Sequence, residues 1–139
     1  MNTGVLMKIN TWVVLLGGMA IMAAACRKEA TLTYRIKNIA SDSVDVICTR
    51  ADMPGIYDTM WIGYNQEVIL AVTTEGAEHI SNYKETAGTL RNLTRIDVYK
   101  KHGHAKATTN FLNSSLWTYD ERSSSAANYT TTITDKDFQ

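Results

Sequence analysis

His102-Gly103-His104 sets two imidazoles one residue apart. On an extended backbone, residues i and i+2 point the same way, so both imidazoles would share one face. A zinc site needs three or four ligands, and His79 or Asp97 is the candidate to complete it. No spacing forces these residues together, and a polar hairpin tip accounts for the same motif more simply. The histidines also belong to a basic cluster: Lys100, Lys101, His102, His104 and Lys106. Such a cluster can hold a phosphate or an acidic sugar. Trp61, Trp117, Tyr64, Tyr99 and Tyr119 are enough aromatics for a surface on which sugars stack, although tryptophans also fill the cores of small β-domains. Cys48 lies inside an apolar alternation, whereas a reactive thiol needs an electropositive, partly exposed setting. Ser, His and Asp are all present, but without the strand–turn–helix context of a nucleophile elbow. No catalytic residue, resident metal or cofactor is assigned, and the chain reads as a non-enzyme.

The elements that must position these residues begin after an unusual N-terminus. Lys8 is the one charge before Arg27, and an apolar run from Trp12 to Ala25 follows it, broken by Gly17 and Gly18. A charged start, a short apolar core and a run of small residues describe a secretory signal. Fourteen residues fall short of the roughly 20 that span a bilayer as a helix. The run ends Ala23-Ala24-Ala25-Cys26. This resembles the bacterial lipobox. The resemblance implies cleavage before Cys26 and lipid on its thiol and new amino group. Each buried methylene contributes roughly 0.8 kcal/mol, so two or more acyl chains hold firmly where one does not. Residues 1–25 are therefore expected to be a lipoprotein signal peptide, with the start at Met1 or Met7, and residues 26–30 the lipidated cysteine and its tether.

Of the 14 Lys and Arg, only Lys8 precedes Cys26, so 13 face 14 Asp and Glu in the mature chain. Near-neutrality argues against nucleic acid, which favours a basic surface. The remaining length suits one domain with one core. With Cys26 committed to lipid, Cys48 has no partner within the chain, so no disulfide framework is expected.

Residues 31–139 read as one β-domain. Leu32, Tyr34 and Ile36 alternate with polar residues, which predicts a strand with one face buried. Asn38 to Ser43 reads as a turn. Val44, Val46 and Cys48 mark a second strand, and Met53-Pro54-Gly55 is the next break. A third strand is expected over Tyr57 to Ile62, with Trp61 reaching the core. A fourth, Glu67 to Thr73, is apolar on both faces and so expected to be central. Glu75 to Leu90 reads as a long loop with one helical turn near His79 to Lys84, and loops of that length are often functional. Leu93 to Lys100 resumes the alternation, with Ile96 and Val98 inward. Lys101 to Asn110 is a polar connection. Phe111 to Tyr119 is a sixth, irregular strand carrying Trp117. Asn128 to Thr134 closes the domain. Strong β-formers in about seven short strands point to an all-β fold, a single antiparallel β-sandwich.

Cys48 and Trp61 are spaced like the strand-B cysteine and strand-C tryptophan of immunoglobulin domains, so the sandwich resembles an immunoglobulin-like one. Tyr34-Arg35-Ile36-Lys37-Asn38, the Ser-Asp turn, a late tryptophan and the closing Tyr129-Thr130-Thr131-Thr132-Ile133-Thr134 resemble small uncharacterised lipoproteins of the Bacteroides group (Bacteroidota). Arg27-Lys28-Glu29 resembles the lysine-plus-acid signal of that group's surface lipoproteins. Asp42-Ser43-Val44 and Asp58-Thr59-Met60 resemble the group's short O-glycosylation motif, which makes Ser43 and Thr59 candidate acceptors. These resemblances imply a lipoprotein of the bacterial outer membrane, surface-exposed or periplasm-facing. Its partners would be the membrane, through the lipid on Cys26, and a protein or glycan ligand held by loops, chiefly Glu75 to Leu90 and Lys101 to Asn110. A periplasmic inhibitor or immunity-type lipoprotein is the alternative, and a metal-binding or hydrolytic protein using His102 and His104 comes after it.

Overall fold

A computed structural model describes residues 29–76, 79–86, 88–100 and 104–139. The signal segment, Cys26, Lys101 and His102 lie outside the described residues. The described chain is all-β. Its strands are β1 (Glu29–Asn38), β2 (Val44–Arg50), β3 (Asp58–Ile62), β4 (Glu67–Gly76), β5 (Leu93–Lys100), β6 (Thr118–Ser123) and β7 (Ala126–Ile133). Helical structure among the described residues is limited to three 3-10 turns, Ile80–Tyr83, Ser114–Leu116 and Asp135–Phe138. The first of these is the turn expected in the long loop.

The strands form two sheets, ordered β4-β1-β7-β6 and β3-β2-β5. Strand pairs are antiparallel except β1 with β7, the first and last strands, which run parallel. The expected seven-stranded sandwich is thus present. An immunoglobulin constant-type domain sets its first strand beside its second and its third beside its sixth. Here β1 lies between β4 and β7, and β2 between β3 and β5. The architecture is shared and the strand order is this chain's own.

Alternation explains the core. In β1, Leu32, Tyr34 and Ile36 are buried and their neighbours half-exposed. Val44, Val46 and Cys48 do the same in β2, and Ala127, Tyr129, Thr131 and Ile133 in β7. Tyr34 and Tyr129 stack with centroids 5.3 Å apart, and Trp117 meets Tyr34 edge-on at 6.0 Å. The indole N–H of Trp117 donates to Phe111 O at 2.8 Å, so the ring enters the core with its polar atom satisfied. Asn92 donates its amide to the Tyr34 hydroxyl (3.2 Å) and to Thr73 Oγ1 (2.9 Å).

Three expectations are corrected. The sixth strand, expected over Phe111 to Tyr119, is β6 at Thr118–Ser123, and the 3-10 turn Ser114–Leu116 stands in the earlier part of that span. Trp61 faces outward and is 52% exposed, whereas Trp117 is 7% exposed. The β2–β3 register pairs Val44 with Ile62 and Val46 with Met60, so Met60 and Ile62 take the inward parity and Trp61 the other. In a strand of period two, one side chain's choice decides the face of all the rest. Strand β4 is an edge strand, not a central one. Its partner register jumps between Tyr34↔Ala71 and Arg35↔Ile69, leaving Leu70 as an extra, bulged residue. Leu70 and Ala71 are consequently both buried, while Ile69 and Val72 sit exposed on the outer face. An apolar run that looks two-faced is here a bulge plus an exposed edge.

Candidate functional site

The outer face of β3-β2-β5 gathers most of the exposed chemistry. Cross-strand register sets Trp61 beside Asp45 beside Tyr99, and Thr59 beside Ile47 beside Asp97. Just before β3, Tyr57 is exposed, with the Arg95 guanidinium 5.2 Å from its ring centroid. At the opposite side, Lys106 pairs with Tyr99 in a backbone bridge, and its ammonium lies 5.8 Å from that ring. The face therefore carries aromatic rings on both outer strands, with Asp45 and Ile47 of the middle strand between them.

The main ion-pair site on this face is Asp97, on the outer strand β5. Its carboxylate accepts from Lys106 Nζ at 2.7 Å and from Arg95 Nε at 2.5 Å. Burial pushes Asp97 upward, but the hydrogen bonds from Lys106 and Arg95 outweigh it and hold the group below the usual carboxylate range. The same contact raises Lys106. A shallow groove of about 220 Å³ runs beside this pair, between β5 and residues 106–110. That is smaller than the roughly 300–1,000 Å³ of small-molecule sites. A flat, aromatic-edged face suits an extended partner better than an enclosed small ligand.

The basic cluster resolves differently from its sequence. Lys100 donates to Asp135 at 2.9 Å and lies 5.0 Å from the Phe138 ring. Asp135 also accepts from the backbone and hydroxyl of Ser41. Asp135 thus ties the C-terminal turn both to the end of β5 and to the β1–β2 connection. Both described lysines of the cluster already hold carboxylates of their own chain. His104 is exposed, with a left-handed φ of 49°.

His79 does not join His104. Lys100 pairs with Val44, at the end of the sandwich where β1 finishes. His79 precedes Ile80, whose amide donates to Ser124 O beside the start of β7, at the other end. Strands of 8 to 10 residues separate the ends, roughly 25–30 Å at 3.3 Å per residue. Asp97 is occupied by its two cations. Among the described residues, no group of three or more His, Cys, Asp or Glu could hold a metal ion.

Cys48 is fully buried, and its thiol donates to Leu70 O, the bulged residue, at 3.7 Å. Burial, with a smaller contribution from Asp58, pushes the thiol up to about 11. That is a structural cysteine with no thiolate at neutral pH. The remaining aromatics divide cleanly. Trp117 is core, and Tyr119 packs on Tyr129 at 5.2 Å while donating to Ile80 O. Trp61 and Tyr64 are exposed and Tyr99 half-exposed. Of the two candidate acceptors, Ser43 is half-buried before β2, and Thr59 is exposed within β3, on the face just described and not at a turn.

Sequence reasoning passed over Tyr57, Ile47 and Arg95 as parts of a site. The signal was parity: 57, 59 and 61 share a face once Met60 and Ile62 are taken as the inward pair. Compared with known proteins, the chain matches no family model, no curated protein and no solved structure.

Proposed function

We propose that this chain is an exported, lipid-anchored, non-enzymatic binding or assembly module of the bacterial outer membrane. It engages an extended protein or glycan partner through the outer face of β3-β2-β5. The anchor reading rests on the sequence: the Lys8 start, the short apolar run and Ala23-Ala24-Ala25-Cys26. The binding reading is carried by one observation. Trp61 spends its area on solvent, on a face shared with Tyr57, Thr59, Ile47 and Tyr99, although the core next to it holds tryptophan and tyrosine readily. Tryptophan and tyrosine bring large contact area at small conformational cost, which is why they anchor interfaces.

The test is a glycan-array and pull-down screen with the full acylated protein in detergent, wild type beside Trp61→Ala. A partner retained by wild type and lost by at least tenfold in Trp61→Ala supports the face. A partner bound equally by both removes it. Protease shaving of intact cells, with Cys26→Ser as control, decides the anchor and its orientation. Digestion of the wild type places it outside. Protection until the outer membrane is opened favours the periplasmic inhibitor instead, and an uncut, membrane-bound Cys26→Ser form refutes the lipoprotein.

A further inference from the structure

Four sheet edges end the two sheets, and three of them are guarded. The β5 edge is covered by the returning chain: Lys100 N donates to Ala105 O, and Ala107 N to Val98 O. The β6 edge carries Asp120, Glu121 and Arg122 and a register break between Glu121 and Ser123. The β4 edge holds the bulge at Leu70. Charges, bulges and covering segments are the usual means by which proteins stop edge-to-edge pairing. Strand β3 has one charge, Asp58 at its first residue, and neither a bulge nor a covering segment among the described residues. Its sequence, Asp58-Thr59-Met60-Trp61-Ile62, lacks lysine, proline and any register break, and among the described residues it pairs with β2 alone. No Lys or Arg occurs anywhere between residues 51 and 83.

The exposed apolar residues concentrate at the same edge. Of the nine large exposed hydrophobics among the described residues, Met53, Ile56, Tyr57, Trp61 and Tyr64 lie on β3 or on the segments at its two ends.

We propose that β3 pairs antiparallel with β3 of a second copy of this chain, joining two three-stranded sheets into one of six. Three features favour a second copy. The strand is short and self-complementary about Met60: Met60 meets Met60, Thr59 stands opposite Trp61 of the second copy, and Asp58 stands opposite Ile62, so the acid is not set against itself. A twofold contact uses the patch twice. Met53, Ile56 and Tyr64, on the segments at the two ends of the strand and 43–67% exposed, add apolar contact beside the paired strands, while Trp61 and Tyr57 stay on the outer face. Pairing would set two outer faces side by side on one continuous sheet, doubling the surface offered to an extended ligand. The inference rests on the binding-module reading of that face and names the assembly that presents it.

The test uses the full chain in bacterial membranes, with cysteine placed at the expected twofold and off it. Cys48 is buried, and wild type serves as the background. Met60→Cys is expected to form a dimer of twice the chain mass on mild oxidation, because paired residues lie about 4.5–5.5 Å apart. Asp58→Cys is four positions out of register with itself, about 13 Å, and is expected not to cross-link. No cross-link at 60, equal cross-linking at 58 and 60, or a cross-link at 60 to a different polypeptide overturns the second-copy proposal. Thr59→Lys puts a charge on the edge without entering the core. It is expected to turn a sedimenting dimer into a monomer with an unchanged far-UV circular dichroism spectrum and a melting temperature that no longer depends on protein concentration, which decides the matter even if Met60→Cys folds poorly. Ligand binding by a monomeric wild type would overturn pairing and spare the binding reading. A cross-linked dimer that binds nothing would do the reverse.

Discussion

Trp61 and Trp117 are the same residue type put to opposite uses, and parity alone separates them. Trp117 fills the core edge-on to Tyr34 with its N–H satisfied, so truncation leaves a cavity and an orphaned Phe111 carbonyl. Trp117→Ala is expected to cost about 3–5 kcal/mol, read as a lowered urea midpoint. Trp61→Ala is expected to stay within about 0.5 kcal/mol of wild type, while iodide quenching of tryptophan fluorescence falls with its removal. Equal destabilisation by the two would contradict the register of β3. Residue types were legible in the sequence here, but which tryptophan was which was not. A five-residue strand has two possible parities, and its apolar residues Met60, Trp61 and Ile62 are consecutive. The deciding contact is with Val44 and Val46, on another strand. The basic cluster shows the same limit. Lys100 is neutralised by Asp135, 35 residues away, which no local pattern could announce.

Elements were more legible than residues. Strands β1, β2, β5 and β7 fell where strict alternation put them, because burial on one face of a pleated strand forces period two. The long loop and its single helical turn were also visible, as loss of that period. What was hidden is how firmly the described part of the loop is held. The Tyr129 hydroxyl accepts from the Glu85 amide and donates to Tyr83 O at 3.0 Å, and the Tyr83 hydroxyl donates to Gly76 O at 3.0 Å. Tyr129 comes from β7, more than 40 residues later, and its ring stays stacked on Tyr34. Tyr129→Phe keeps the stack and removes the clasp. It is expected to cost about 1–2 kcal/mol and to speed hydrogen exchange at the Glu85 amide well beyond the change in β1. Exchange that rises equally in both would mean global destabilisation and no clasp. The bulge in β4 is the element-scale case that misled, since one inserted residue turns an edge strand's pattern into that of a central one.

At the scale of the molecule, the buried titratable groups set a direction for pH. Burial raises Cys48 to about 11, and raises Tyr34, Tyr119 and Tyr129 above the ordinary tyrosine range. Each binds its proton more tightly folded than unfolded. The unfolded chain begins to release these protons near pH 8.5 for cysteine and 10 for tyrosine, while the folded chain retains them. Stability is therefore full at neutral pH and falls as pH rises from about 8.5 through about 11. Urea midpoints at pH 7, 9 and 10.5 are expected to decline in that order, with Cys48→Ala flattening the first part of the fall. A midpoint constant to pH 10.5 would refute the burial of these groups. What the sequence by itself determined was whatever depends on neighbours two residues apart: an all-β chain, most strand spans and their inward residues. It also carries the whole case for export and lipidation, since Cys26 and the run before it lie outside the described residues. Tertiary structure alone decided the strand order, the parallel pairing of first and last strands, the separation of His79 from His104, the neutralisation of Lys100 and Lys106, and the outward turn of Trp61. Each of these depends on which distant strands meet, and the energy of that choice is spread over contacts that no stretch of the chain contains within itself.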